Sequence, residues 1–165
     1  MAQSFLAGGT SLILVTPRPS PLSTLAGAPG VTAVFSGQSD LDEEELRAAL
    51  SSAAGPAVVM IDDAELLRDC DASGELSRII AFGGDSGQAL VFAGEADSIG
   101  LGFGGWQVDA KRARRGCLIA PSTLPEGDLV GVRLSHGLLG QAPRPGRCLL
   151  NVGNGTLTTV TVPAQ

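Results

Sequence analysis

The chain has 165 residues, 44 % of them hydrophobic and 17 % charged, which supports a folded domain with a sizeable core and excludes an intrinsically disordered chain. Its formal net charge of -6 excludes attraction of nucleic acid by the overall field; any such contact needs a local basic patch or a partner subunit. The three cysteines, Cys70, Cys117 and Cys148, have no metal-ligand spacing and fit a reducing cytosol, and no apolar run approaches the ~20 residues of a membrane span, so a soluble, cytoplasmic chain is expected.

In chain order, Met1 to Ala7 predicts a short helix stopped by Gly8-Gly9, and Ser11 to Thr16 (SLILVT) a buried strand ended by Pro17, Pro19 and Pro21. Pro21 to Ala26 predicts a short helix or turn, and Val31 to Phe35 a short strand. Asp40 to Ala53 predicts an amphipathic helix capped by Asp40, with Leu41, Leu46, Ala49 and Leu50 at helical spacing and Gly55-Pro56 beyond its end. Ala57 to Ile61 (AVVMI) is an apolar run rich in valine, the pattern of an inner parallel strand, and it leads straight into Asp62 and Asp63. Helices are expected from Ala64 to Arg68 and Gly74 to Phe82, a strand from Ala89 to Ala93, a glycine-rich connection from Gly100 to Gly105, a short basic helix from Trp106 to Arg115, and a strand from Cys117 to Ala120. Beyond Pro121, Val130 to Leu134, Cys148 to Val152 and Leu157 to Val162 predict strands joined by turns, with Asn154-Gly155 as a hairpin signal between the last two. The fold class is therefore α/β with a mostly parallel sheet, over residues 1–122, plus a small antiparallel extension over 123–165.

Two carboxylates closing an apolar strand have the layout of a Walker B strand, in which the first acid holds Mg²⁺ beside a nucleotide's phosphates. Asp62 and Asp63 are the catalytic candidates, and Asp62 is the Mg²⁺ ligand through water; alternatively the pair caps the helix at Ala64. No Gly-x-x-x-x-Gly-Lys-Ser/Thr occurs in the sequence, and its only lysine is Lys111. Without backbone amides and a lysine opposite them, two acids repel a polyanion.

Lys111, Arg112, Arg114 and Arg115 form the one basic cluster. Arg112, Arg114 and Arg115 are candidates for an arginine finger or a phosphate contact, against a solvated helix face. Trp106 reads as a packing anchor ahead of a stacking platform, the glycine run as a mobile loop ahead of a phosphate cradle, and His136 has no partner at metal spacing.

Four segments carry a resemblance to a known family. They are Thr16-Pro17-Arg18-Pro19-Ser20-Pro21-Leu22, Val58 to Leu67 (VVMIDDAELL), Gly105 to Leu118 (GWQVDAKRARRGCL), and the tail from Pro145-Gly146-Arg147 to Pro163. In this order they make the chain similar to the FtsK/SpoIIIE-type motor ATPases, and above all to the branch that includes the type VII secretion ATPases. The resemblance implies a RecA-like P-loop core whose first strand, phosphate loop and helix start are absent from this sequence. It implies ATP and Mg²⁺ as cofactors, DNA or a secreted protein as substrate, a homo-oligomeric ring, and a place at the cytoplasmic face of a membrane. Three features depart from it: the missing P-loop, Asp63 where a glutamate orients the attacking water, and a sensor strand that ends in Gly94-Glu95. The expectation is an ATP-binding motor domain of a translocase that is inactive alone, with a non-catalytic interaction module as the alternative. In that fold the P-loop strand lies between the strands at 89–93 and 117–120, so its loss predicts that these two close on each other or that another chain fills the gap.

Overall fold

A computed structural model describes residues 1–37, 40–101 and 104–161. Two compact units are present: Met1–Glu95 with Gly104–Gln107, and Ala96–Phe103 with Val108–Gln165.

The first unit is a four-stranded, wholly parallel sheet in the order β2-β1-β3-β4, formed by β1 (Ser11–Thr16), β2 (Val31–Ser36), β3 (Ala57–Ile61) and β4 (Gln88–Phe92). β3 is buried at every position and β1 at all but Ser11, because both faces of the sheet are covered. Ile13, Val15, Val59 and Ile61 point to one face, where Leu46, Ala49 and Leu50 of α2 (Glu43–Ser52) and Leu76 and Ile79 of α3 (Ser73–Phe82) pack with Trp106. Leu12, Leu14, Val58 and Met60 point to the other, against Ala2, Phe5 and Leu6 of α1 (Ala2–Ala7) and Leu22 and Leu25 of a 3-10 turn (Pro21–Leu25). The absence of in/out alternation in SLILVT and AVVMI is thus the record of two covered faces.

Several expected boundaries move. α2 starts at Glu43, and its cap is Asp42, whose Oδ1 accepts from the Glu45 amide at 2.8 Å. Asp40, the expected cap, instead accepts from the Asp71 amide at 2.9 Å. The segment after the two acids is a 3-10 turn (Ala64–Leu67) and not a full helix.

The second unit holds α4 (Ala96–Gly100), the Val108–Arg112 part of α5 (Trp106–Arg112), and an antiparallel sheet in the order β5-β6-β7. Its strands are β5 (Arg115–Leu118), β6 (Arg147–Val152) and β7 (Thr158–Thr161). The strand expected at 117–120 is therefore part of this antiparallel sheet. Only Leu118 of β5 is buried, whereas an inner parallel strand is apolar and buried throughout. Among the described residues β4 pairs with β3 and β5 with β6, in separate sheets, so the expected pairing of the two is not made. Val130 to Leu134 is a correction of another kind. Val130, Val132 and Leu134 alternate and are buried beside Leu118 and Leu149, but the segment joins no ladder; it follows a 3-10 turn (Leu124–Val130) that ends at Gly131. Alternation there records burial of one side without pairing. The hairpin expected around Asn154-Gly155 joins β6 to β7. Of the glycine-rich connection, Gly102 and Phe103 lie outside the described residues, and Gly100 closes α4.

Among the described residues no helix is long and apolar enough to cross a membrane. The three cysteines are free. Cys117 on β5 lies opposite Leu150, two residues from Cys148 on β6, so both thiols share one face of the sheet. Cys117 is exposed as a residue, yet partial desolvation of its thiol, with the Cys148 thiol beside it, pushes it up to about 11. At pH 8 its thiolate fraction is then about 100-fold below that of an ordinary thiol. Alkylation of Cys117 by iodoacetamide, followed by mass spectrometry, should be slow at pH 8 and accelerate only towards pH 11. Labelling at the rate of a free peptide thiol would refute this.

Candidate functional site

The carboxyl ends of β1 and β3 lie side by side, since the register pairs Leu14 with Met60 and Val15 with Ile61. Asp62 stays on the ladder through its amide, which donates to the Val15 carbonyl at 3.0 Å. Its neighbour Asp63 leaves the strand in a left-handed conformation at φ 52°, ψ 46°, which aspartate tolerates better than most residues. The chain then turns into the 3-10 segment, tied by the Ala64 amide to the Ala93 carbonyl at the end of β4 (2.9 Å). The two acids therefore stand at the carboxyl edge of the parallel sheet, the side on which open α/β sheets bind ligands.

The loop after β1 folds onto these acids. Its prolines at 17, 19 and 21 restrict it, and Ser20 is an N-cap followed by proline at the first helical position. The Ser20 hydroxyl accepts from the Leu22 amide at 3.1 Å and donates to Asp62 Oδ2 at 2.6 Å. The other oxygen of Asp62 accepts from the Asp63 amide at 3.2 Å. Arg18 brings its guanidinium to 3.8 Å from Asp63 Oδ1. Both partners are partly solvated, so this pair supplies orientation and little stability. Asp63 occupies the cap position of the 3-10 turn but makes no side-chain cap bond, so the capping role expected for the pair is not made by Asp63.

The Trp106-Gln107 pair belongs to the same unit and supports the acid turn from inside. Trp106 is wholly buried; its Nε1 donates to the Leu67 carbonyl at 2.9 Å, and its ring meets Phe92 edge-on with centroids 5.1 Å apart. That geometry makes it a packing anchor. Gln107 Nε2 donates to the Ala64 carbonyl at 2.6 Å, while its buried Oε1 has no partner among the described residues.

Arg112, Arg114 and Arg115 are placed in the second unit, and the basic helix is shorter than expected. α5 ends at Arg112, whose guanidinium pairs with Asp109 at 2.9 Å; Arg114 sits in a left-handed turn at φ 51°, and Arg115 opens β5. Three consecutive fates for one basic run follow from this turn, which reverses the chain between helix and strand. Lys111 donates to the Gly100 carbonyl at 3.3 Å.

Among the described residues no group of three or more His, Cys, Asp or Glu side chains could hold a metal ion. The acids at the sheet edge face one serine hydroxyl and one arginine, and the sequence has no Gly-x-x-x-x-Gly-Lys-Ser/Thr loop to set opposite them. Ser20 and Arg18 are the site residues that residue-by-residue reading assigned no role. Their signal was present in the spacing of Pro17, Pro19 and Pro21, which stiffens the loop, but nothing in it pointed to Asp62.

No family model matches this sequence, and no curated protein matches it significantly. A solved structure does: EssC (ATPases 2 and 3) from Geobacillus thermodenitrificans, at 20 % identity and a TM-score of 0.63 over 98 % of this chain. The two share a fold. The chain spans 33 % of the length of that structure, and its four parallel strands with a small antiparallel sheet match that neighbour's fold. At this identity the likeness speaks for the fold and leaves activity to be argued from the site.

Proposed function

We propose that this chain is an FtsK/SpoIIIE-like ATPase-fold module of a translocase, of the secretion type, that does not hydrolyse ATP by itself. The observation that supports this reading is the Asp62-Asp63 pair at the carboxyl edge of β3, in a fold shared with EssC, with both acids engaged by the chain's own Ser20 and Arg18. The pair keeps the position of a Walker B site. Its partners within the chain are the Ser20 hydroxyl and the Arg18 guanidinium.

In this reading the module works beside a complete motor domain on the cytoplasmic side of a membrane, in an oligomer that moves a polypeptide or DNA. The engagement of both acids by the chain's own side chains favours a docking or regulatory part in that assembly over a catalytic one. The net charge of -6 favours polypeptide over DNA as the cargo it meets.

Nucleotide affinity tests this directly. Titration of the chain with ATP, with and without Mg²⁺, should give no saturable, Mg²⁺-dependent binding below the millimolar range, and Asp62→Asn should change nothing. Tight Mg²⁺-dependent binding that disappears in Asp62→Asn would establish the pair as a working metal site and overturn the proposal.

A further inference from the structure

Arg114 is held in a costly conformation by two neighbouring residues. Its φ of 51° lies in the left-handed region, where glycine or asparagine is at home and arginine is strained. Asn151, with 1 % of its surface exposed, fixes that turn: its Nδ2 donates to the Arg114 carbonyl at 2.9 Å and to the Val130 carbonyl at 2.7 Å. Its Oδ1 in turn accepts from the Gly153 amide at 3.0 Å. Gly131 makes room for the side chain. A Cβ there would stand 2.6 Å from Arg114 Cγ, and its φ of +69° is itself a glycine conformation. A buried asparagine and a glycine thus fix where one arginine goes, although a glycine at 114 would relieve the strain. The arginine side chain is what the arrangement retains.

That side chain lines an open cleft of about 580 Å³ within the second unit, a volume suited to a small molecule. Lys111 and Arg112 line it with Arg114, and Asp97, Glu126 and Asp128 supply the acids. Half of these charges are already engaged. Glu126 Oε1 takes the Ser122 and Thr123 amides at 2.8 and 2.7 Å, along with both hydroxyls, in a capping box; Arg112 pairs with Asp109 and Lys111 donates to Gly100. Among the described residues Arg114 has no ion pair. The cleft therefore offers one guanidinium without an ion-pair partner to an anion, with Lys111 and Arg112 adding to its field, and the carboxylates of Asp97 and Asp128 to hydrogen-bond donors. A bare polyanion meets those acids unfavourably; a molecule with one anionic head and several hydroxyl or amino donors satisfies both sides.

We propose that this cleft binds a small phosphate monoester bearing free hydroxyl or amino groups, with Arg114 as the principal ligand of the phosphate. This goes beyond the reading of the acid pair at the sheet edge and does not depend on it. Titration calorimetry of the whole chain with ribose 5-phosphate, inorganic phosphate and ribose tests it. Ribose 5-phosphate should bind saturably and more tightly than inorganic phosphate, and ribose least. Arg114→Asn keeps a residue that accepts the left-handed turn, so its thermal midpoint should equal or exceed that of the parent, while its affinity for ribose 5-phosphate falls roughly tenfold or more. Asp128→Asn should tighten inorganic phosphate and narrow the preference for the ester. Undiminished binding of ribose 5-phosphate in Arg114→Asn overturns the proposal. So does a parent chain that binds ribose 5-phosphate no better than phosphate, or not at all.

Discussion

Replacing Trp106 with alanine should lower the free energy of unfolding by about 4 kcal/mol, the largest effect expected of any single substitution in this chain. Trp106 is the sole tryptophan, is fully buried, and sits where the acid turn, the end of β4 and the α2/α3 face of the sheet meet. Its removal withdraws the edge contact to Phe92 and leaves a cavity in the core cluster that it shares with Leu67, Leu76 and Ile61, which rigid sheet and helix backbones cannot close. The Leu67 carbonyl also loses its donor, adding about 1 kcal/mol. Trp106→Phe keeps most of the apolar contact and should cost about half as much. Urea denaturation followed by circular dichroism measures both, because the fluorescent reporter is the residue removed. A loss below about 1 kcal/mol for the alanine variant would show that the pocket collapses freely, and the anchoring role would fall.

The second large effect concerns Glu75, a carboxylate with 4 % of its surface exposed on the first turn of α3. Its Oε1 accepts from Arg78 Nε at 3.0 Å and Nη2 at 2.6 Å, and its Oε2 lies 3.7 Å from Arg47 on α2. Arg78 also reaches the Gln88 side chain on β4 at 2.7 Å, so one acid joins two helices and an edge strand. The hydrogen bonds from Arg78 hold the Glu75 carboxyl below the usual range against the opposing effect of burial, and the charges of Arg78 and Arg47 add to the lowering. Glu75→Gln should cost about 2 kcal/mol at pH 7, less than a fully buried pair because Arg47 and Arg78 keep water at their heads. A carboxylate whose folded pKa is lowered contributes stability that is fully present above its unfolded value, near ~4.3, and is lost as pH falls through the folded value. The gap between parent and Glu75→Gln should therefore be constant from pH 7 to 5 and close as the pH is lowered further. A gap that persists unchanged at pH 2 would mean the loss comes from packing and not from charge.

Much of the first unit was legible in the residues. SLILVT and AVVMI are apolar without alternation, which already requires two covered faces and so a parallel sheet between helices. The acids after AVVMI could only stand at the carboxyl end of that strand, which is where Asp62 and Asp63 are found. Trp106 read as an anchor because a lone tryptophan in an aromatic-poor chain is worth most when buried, and it is. What failed was partner choice. Cys117 to Ala120 carries the same apolar signal in either sheet, and whether a strand there joins β4 or β6 depends on hydrogen-bond partners remote in sequence. Val130 to Leu134 alternates as a strand does, but alternation reports which side chains are buried and says nothing about a ladder.

The site divides in the same way. Sequence determined the chemical inventory: two adjacent acids, no phosphate loop, one lysine, and an arginine run. Only the tertiary structure decided what each meets, because side chains such as Ser20 and Asp62, or Arg114 and Asn151, lie 42 and 37 residues apart and are brought together by sheet register and chain reversal. Periodicity and local composition are short-range quantities that set which elements form. The contacts that engage one acid, and strain one arginine into a cleft, are fixed by packing between elements, which no short window of residues contains.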